Sequence, residues 1–155
     1  MTTLIEFVNA FWTWTGYAEC YKGCDVEQLS VDPFDFPLLC EMQQACIELI
    51  NKQLSIETTD AFLMCMAIDN ECECILDACT ALADESFLNI LVSTGIHHSQ
   101  SHARWQIAEL LRRDVPNRIK FLNTLLHDED SYVRKRAHNV LCDIAWDPSK
   151  AYFTD

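Results

Sequence analysis

Glycine and proline are scarce in this sequence. Of its 155 residues, 3 are glycine and 4 are proline, although half are hydrophobic. A loop-rich β-sandwich needs more turn-forming residues, and a disordered chain has fewer hydrophobic ones, so both are excluded. The composition favours an all-helical protein, and the length is that of one domain with a working core.

Basic residues are also scarce, but only in the first part of the chain. Residues 1–93 contain 16 acidic residues and two basic ones, Lys22 and Lys52, which gives −14; residues 94–155 contain 8 acidic and 9 basic residues, which gives +1. An acidic surface repels nucleic acid and anionic lipid and attracts basic protein surfaces. Solubility alone is the alternative role of this charge.

Signals for export, membrane insertion, disulfide bonding and zinc binding are missing. The first twenty residues contain no Lys or Arg, and residues 86–103, the longest run without charge, include three histidines. A secretory signal and a membrane span are therefore not predicted. The spacings Cys20-x-x-x-Cys24 and Cys72-x-Cys74 differ from the Cys-x-x-Cys pairs of zinc and redox sites.

The nine cysteines are an odd number, which argues against a secreted disulfide scaffold. Most lie within helical apolar patterns and are predicted to be small buried hydrophobic residues. Those in such patterns are Cys40, Cys46, Cys65, Cys72, Cys79 and Cys142. This usage predicts a protein of the reducing cytoplasm. No cofactor is predicted.

A histidine cluster at residues 97–102 is the one candidate metal site. His98 and His102 are four residues apart, so on a helix both could face one ion, but a zinc site needs a third ligand and none is adjacent. The alternative is a polar turn before a helix whose N-cap is Ser99 or Ser101. We favour the turn and predict no metal.

Helical periodicity begins near the N-terminus. Residues 2–15 form an apolar stripe that starts after Thr2 or Thr3 and ends at Gly16, so they are predicted to be a helix. A short helix is predicted near residues 26–29, within a proline-containing loop. Another helix is predicted from Pro37 to about Leu54.

From residue 58 the chain repeats. The predicted helix pairs are residues 59–68 with 71–83, residues 86–94 with 102–113, and a last pair that begins at Pro116 and includes residues 121–145. Ala78, Ile107 and Ala137 align as pivots at steps of 29 and 30 residues. Such a period is typical of stacked helical hairpins.

The last pair resembles a HEAT repeat. The matching elements are Asp128 in the turn, Val133-Arg134 at the start of the second helix, Ala137, and Val140-Leu141. The resemblance implies an all-α, short right-handed α-solenoid of about three HEAT-like hairpins over residues 58–146. Residues 1–57 would form a helical cap and loop within the same domain, and residues 147–155 a tail.

Partner-binding residues follow from this arrangement, because the second helices of a solenoid normally line a concave surface. In the predicted helix over residues 71–83 and just beyond it, Glu73, Asp77 and Asp84 are spaced by four and seven residues, roughly on one face. Asp69 and Glu71 lie in the adjacent turn. At the position of Asp77, the next two pairs carry Gln106 and Arg136, which predicts a surface that grades from acidic to mixed charge.

No catalytic motif is present in the sequence: it contains no Gly-rich phosphate loop, no His-Glu-x-x-His and no nucleophile elbow, so no enzyme is predicted. The acidic, Cys-rich, helical chain is similar in type to bacterial immunity proteins, including those of contact-dependent growth inhibition. That similarity implies a basic nuclease toxin as partner.

Two other functions are open. One is a general scaffold or adaptor that grips a peptide or helix. The other is a nucleic-acid enzyme, since some DNA glycosylases are built from HEAT-like repeats and hold phosphate on a basic face. The residues available for that role are Arg104, Arg112, Arg113, Arg118, Lys120, Arg134, Lys135 and Arg136. The charge of −14 on residues 1–93 opposes such binding, so nucleic acid is the less favoured partner.

Overall fold

The structure, a computed structural model, describes residues 2–17 and 24–145. Within these ranges it contains eight α-helices, two short 3-10 helices and no strand, which confirms the predicted all-α class. The helices are α1 (Leu4–Thr15), α2 (Leu39–Leu49), α3 (Ile56–Ile68), α4 (Cys74–Leu82), α5 (Glu85–Gly95), α6 (Ser101–Leu110), α7 (Arg118–Leu125) and α8 (Ser131–Ala145). Cys20, Lys22 and the predicted tail over residues 147–155 lie outside the described residues.

Helix α1 begins and ends as its sequence predicts. The Thr3 hydroxyl accepts a hydrogen bond from the Glu6 N–H, and the Glu6 carboxylate accepts one from the Thr3 N–H, so a complete capping box starts the helix. Gly16 ends it with φ at 78°, where glycine avoids the strain of a Cβ atom. Phe11 is buried and meets Phe36 edge to face, which attaches α1 to the loop before α2.

That loop contains the two 3-10 helices, Val26–Gln28 and Pro33–Asp35, and it is attached to the start of α6. The buried Gln100 side chain accepts from the Val26 N–H at 2.7 Å and donates to the Cys24 carbonyl at 2.9 Å. The Asp25 carboxylate accepts from the Ser101 N–H at 2.9 Å. Helix α6 is therefore capped by a distant aspartate, not by the predicted Ser99 or Ser101 hydroxyl.

Helices α3 and α6 form the centre of the molecule. All of residues 61–68 in α3 and 103–108 in α6 are buried, so both helices are covered on every side. Helix α3 packs against α1, α2, α5 and α6, and α6 packs against α3, α4, α5, α7 and α8. No described helix, α3 included, combines the length and hydropathy needed to cross a bilayer.

The pairing of the first hairpin differs from the prediction. The sequence pattern pairs α3 with α4, whereas in the structure α3 lies against α2, and α4 packs against α2 and α6. The α2 side chain of Gln43 reaches Asp69 at the end of α3, at 2.6 Å, so the two helices run in opposite directions. Helix α4 is an additional helix between the pair α2 and α3 and the pair α5 and α6.

The second helices of these pairs run side by side in one direction. His98, just before α6, lies 3.5 Å from Asp60 near the start of α3, and Gln106 donates to the Met66 carbonyl near its end. Gln106 is fully buried. The alignment of the helix pairs placed it at the position of Asp77, on the outward side, so that prediction is wrong. Gln106 is buried because α6 has neighbouring helices on all sides.

Helix α8 continues this row beside α6. The Trp105 ring in the middle of α6 meets the Tyr132 ring at the start of α8 edge to face, and the Arg136 guanidinium lies over both rings, at 5.1 and 5.6 Å from their centroids. One turn further on, Arg136 pairs with Glu109 at 2.8 Å. The described part of the chain thus has α1, α3, α6 and α8 in one row, with α2, α5 and α7 packed against it.

Candidate protein-binding surface

Asp69 lies in the interior, which contradicts its predicted place among the partner-binding residues. It is 1% exposed, and its two carboxylate oxygens accept from the Gln43 side-chain amide at 2.6 Å and from the Ile75 N–H at 2.8 Å. The junction of α2, α3 and α4 closes over it, so Asp69 holds this junction together. Burial raises the pKa of Asp69 above its ordinary value, against the opposing effect of these hydrogen bonds.

Replacing Asp69 with alanine tests this structural role. We expect Asp69→Ala to lower the free energy of unfolding by about 2 kcal/mol, because the Ile75 N–H and the Gln43 amide lose a charged acceptor. Urea denaturation measures the loss. The matched control is Glu71→Ala, at an exposed neighbouring acid, which should change stability by less than about 0.5 kcal/mol. Equal stability of the two variants would contradict the assignment.

The raised pKa of Asp69 also sets the sign of its pH dependence. A carboxyl whose folded-state pKa lies above its ordinary value of 3.8 favours folding in its neutral form. Its contribution is therefore fully present below that value and is lost as the pH rises through the folded-state pKa. The stability of the wild type relative to Asp69→Asn should accordingly fall as the pH rises from acid toward neutral.

The other four predicted residues remain at or near the surface but do not share one helical face. Asp77 is in α4 and Glu71 in the turn before it, and both are exposed. Glu73 is half-buried and precedes the helix. Asp84 is exposed, but it is the N-cap of α5, where its carboxylate accepts from the Phe87 N–H at 2.8 Å.

Glu73 has an unusual backbone. Its φ is 54°, in the left-handed region that costs an L-residue about 1–2 kcal/mol. The two other described non-glycine residues with positive φ, Asn51 and Asn117, are asparagines, which tolerate this region. Strain of this kind is frequent on functional surfaces, so Glu73 stays a candidate contact residue.

A groove that a partner could enter lies between α1 and α3. Its volume is about 680 Å³. It is lined by Ile5, Val8, Asn9 and Trp12 of α1, Glu57, Asp60, Ala61 and Met64 of α3, and residues 98–100. Glu57 and Asp60 are exposed acids at its edge, and the floor is apolar. The sequence pattern did not indicate these two acids as partner contacts.

His98 lies beside this groove but does not join His102 in a metal site. Its Nδ1 accepts from the Gln100 N–H at 3.2 Å, so the ring hydrogen is on Nε2, which is 3.5 Å from the Asp60 carboxylate. Burial lowers the pKa of His98, against the effect of Asp60, and favours the neutral ring. The His102 ring instead accepts from the Trp105 indole N–H. Nowhere in residues 2–17 and 24–145 do three His, Cys, Asp or Glu side chains converge as metal ligands would.

The cysteines differ in burial, and Cys24 and Cys72, the latter predicted to be buried, are half-buried. Cys46, Cys65 and Cys79 are fully buried, as predicted, whereas Cys40 and Cys142 are exposed, because each lies on the outer side of its helix. Burial raises the pKa of Cys46 and raises that of Cys79 to about 12. The thiols of Cys46 and Cys79 therefore stay protonated at neutral pH and are poor nucleophiles.

The basic residues of the second half are mostly bound within the chain. Four arginines form ion pairs. Arg104 pairs with Asp128 and Glu129, and Arg112 pairs with Glu109 and Asp143. Arg118 pairs with Asp114, and Arg136 pairs with Glu109. The guanidinium groups of Arg113 and Arg134 donate to backbone carbonyls. Of the eight candidate phosphate contacts, Lys120 and Lys135 alone make no such side-chain contact with the described residues.

The acids of the first half show the opposite behaviour. Twelve of them are exposed, and none forms an ion pair with a Lys or Arg in the described part of the chain. They are Glu6, Glu27, Asp32, Asp35, Glu41, Glu48, Glu57, Asp60, Glu71, Asp77, Asp84 and Glu85. The negative charge of this half is therefore directed outward.

Any likeness to a characterised protein would guide the assignment of these surfaces. Comparison of the chain with protein-family models, with curated proteins and with solved structures finds no match.

Proposed function

We propose that this chain is a non-catalytic protein-binding module, and specifically an acidic immunity protein that binds and neutralises a basic nuclease toxin in the cytoplasm. The observation that carries the proposal is the set of twelve exposed acids without a described Lys or Arg partner. Uncompensated charge of one sign accelerates encounter with a partner of the other sign. Nuclease toxins need basic clefts to hold nucleic acid, so they present such a partner surface.

The internal ion pairs of the second half also support a protein partner over nucleic acid. Phosphate binding needs free guanidinium and ammonium groups that release counterions from the nucleic acid. Six of the eight candidate cations are already bonded to carboxylates or carbonyls of this chain. Breaking those bonds would cost stability before any phosphate contact is made.

The proposal includes a HEAT-like arrangement for the pairs α5 with α6 and α7 with α8. Its support is a repeated contact: Arg104 donates to the carbonyls six and five residues before it, at 2.9 and 3.1 Å, and Arg134 does the same at 2.7 and 2.8 Å. The two arginines are 30 residues apart, which is the spacing of the sequence repeat. A short solenoid of such pairs presents its second helices to a partner.

The first experiment concerns the partner itself. The protein encoded by the adjacent gene should inhibit growth when expressed alone, and co-expression of this chain should restore growth. Purified wild-type chain should also inhibit its nuclease activity stoichiometrically. Growth inhibition that this chain leaves unchanged, with no complex formed, would refute the immunity function for that pair.

Charge reversal then tests the acidic surface. We expect Glu71→Lys combined with Asp77→Lys to slow association with the toxin about tenfold at low salt, because both exposed acids contribute to steering. Stopped-flow association at about 50 and about 500 mM NaCl measures it, and the difference should shrink at high salt. The control is Asp114→Lys, at an exposed acid of the second half. If both variants slowed association equally, the location of the reversed charges would not matter.

A general scaffold that grips a peptide or helix is the second candidate, and the apolar floor of the groove between α1 and α3 favours it. Its affinity would come from apolar anchors, so it would depend weakly on salt. The same two salt concentrations therefore separate the two functions.

A further inference from the structure

We infer that the groove between α1 and α3 is the docking site for an arginine side chain of the basic partner, held between the carboxylates of Glu57 and Asp60 and the apolar floor. This inference rests on the proposed function, because it assigns that function's partner contact to one place. It differs from the sequence-based prediction, which put the contact at α4.

The shape of the groove fits a side chain that is apolar along its length and charged at its end. Its volume, about 680 Å³, exceeds that of one side chain and leaves space for apolar neighbours of the arginine. Trp12, Ala61 and Met64 are buried residues that form the floor. An arginine stem of three methylene groups packs well on such a floor while its guanidinium stays at the rim.

The charge at the rim selects a cation. Glu57 and Asp60 are three residues apart on α3, so they lie on the same side of the helix. No Lys or Arg among the described residues lines the groove, and the Asp60 side chain is 73% exposed and lies 3.5 Å from the His98 ring. The two negative charges are therefore left without compensation beside apolar surface.

Arginine matches this site better than lysine does. Its guanidinium is planar, more weakly hydrated than an ammonium, and can donate to two carboxylates at once. A phosphate or an acidic peptide would be repelled by the same two carboxylates. The site chemistry thus selects an arginine flanked by apolar residues.

The test uses two peptides that differ by one charged group. The probe is acetyl-Leu-Arg-Leu-amide, and the control peptide has citrulline, which is neutral and of nearly the same shape, in place of arginine. In amide-resolved NMR titrations of the wild-type chain, the arginine peptide should shift resonances of α1 and α3 and bind at least about fivefold more tightly than the citrulline peptide. Equal affinity, or shifts confined to other helices, would overturn the inference.

A matched pair of variants isolates the groove. Glu57→Gln with Asp60→Asn should abolish the preference for arginine, whereas Glu71→Gln with Asp77→Asn removes the same charge elsewhere and should leave it unchanged. All four positions are exposed, so both variants should fold like the wild type, which circular dichroism verifies. An equal loss in both variants would mean that net charge, not the groove, selects the peptide, and would overturn the inference.

A steric block separates this inference from the proposed function. Asn9 is exposed at the groove, so Asn9→Trp should fill it and weaken toxin binding at least about tenfold. If the block leaves toxin binding intact while Glu71→Lys with Asp77→Lys weakens it, the inference fails and the proposed function stands. If no basic toxin binds the wild type, the proposed function fails, and the peptide titration alone decides the groove. If the block instead converts a dimer of this chain to a monomer in sedimentation, the occupant is a second copy, and the inference is overturned.

Discussion

Removing the Asp128 carboxylate is expected to cost about 3–5 kcal/mol of unfolding free energy, the largest loss among the variants considered for this chain. Arg104 donates to Asp128 through Nε at 2.8 Å and through Nη2 at 2.9 Å, and the two side chains are 7% and 8% exposed. In Asp128→Ala the guanidinium stays buried without its carboxylate. A buried charge that has lost its partner is strongly unfavourable, whereas the intact pair contributes little net stability.

Chemical denaturation of three variants tests this account of the pair. Glu129→Ala is the control, because Glu129 lies 3.4 Å from the same guanidinium but is 88% exposed, so its loss should cost less than about 0.5 kcal/mol. Replacing both partners, as Arg104→Met with Asp128→Leu, should cost less than Asp128→Ala alone, since no charge then remains buried. A loss below about 1 kcal/mol for Asp128→Ala would mean that water reaches the guanidinium.

The sequence predicted best those features that depend on neighbouring residues. The N-cap residue Thr3 and the C-terminal Gly16 lie directly beside the helix that they delimit. The turn before α8 is similar, because the Asp130 carboxylate accepts from the Tyr132 and Val133 N–H groups. Such signals act over two to four residues, so they can be recognised without knowing the fold.

Burial was predicted less well where partners come from far along the chain. Arg104 and Gln106 are polar and were assigned to a surface patch and an outward position, yet both are buried. Their partners, Asp128 and the Met66 carbonyl, are 24 and 40 residues away. A polar residue with a distant partner has the same local pattern as a solvated one, and only the fold distinguishes them.

The sequence contains a signal for the central position of α3, but the repeat pattern led to a different assignment. Residues 61–68 contain no polar side chain, which for a helix means burial on all sides. The alignment of three helix pairs instead assigned α3 as the first helix of a hairpin with α4. The groove beside α3 was missed for a related reason, since α1 supplies one of its walls from about fifty residues earlier in the chain.

The separation of charge along the chain links these observations to function. Four arginines of the second half form ion pairs with acids of the same half, such as Arg112 with Glu109 and Asp143, and two more donate to backbone carbonyls. The acids of the first half have no comparable cations, because residues 1–93 contain only Lys22 and Lys52. The uncompensated charge that a partner meets is therefore concentrated on the first half of the chain.

Gly95→Ala is expected to destabilise the chain by about 3 kcal/mol, although the same change inside a helix normally stabilises it by about 0.5–1 kcal/mol. Gly95 is the last residue of α5 and is buried against α6 and α3. A Cβ atom there would lie 2.5 Å from Cγ1 and 2.7 Å from Cδ1 of Ile107, and 2.9 Å from Cδ2 of Leu63. Because both side chains are fully buried among the central helices, either they leave their packed rotamers or α5 moves outward to admit the methyl group.

Two further variants distinguish a packing clash at Gly95 from an effect of helix propensity. Thr94→Ala, at the exposed neighbouring position in α5, should leave stability unchanged or raise it slightly. In a double-mutant cycle, Ile107→Ala removes the clashing atoms, so Gly95→Ala in that background should cost at least about 1 kcal/mol less than it does in the wild type. Additive costs would show that α5 and α6 are not in close contact at this point. A smaller cost of Gly95→Ala in the Ile107→Ala background would instead show that the packing of α5 against α3 and α6 is among the main determinants of the fold, since one methyl group is enough to disturb it.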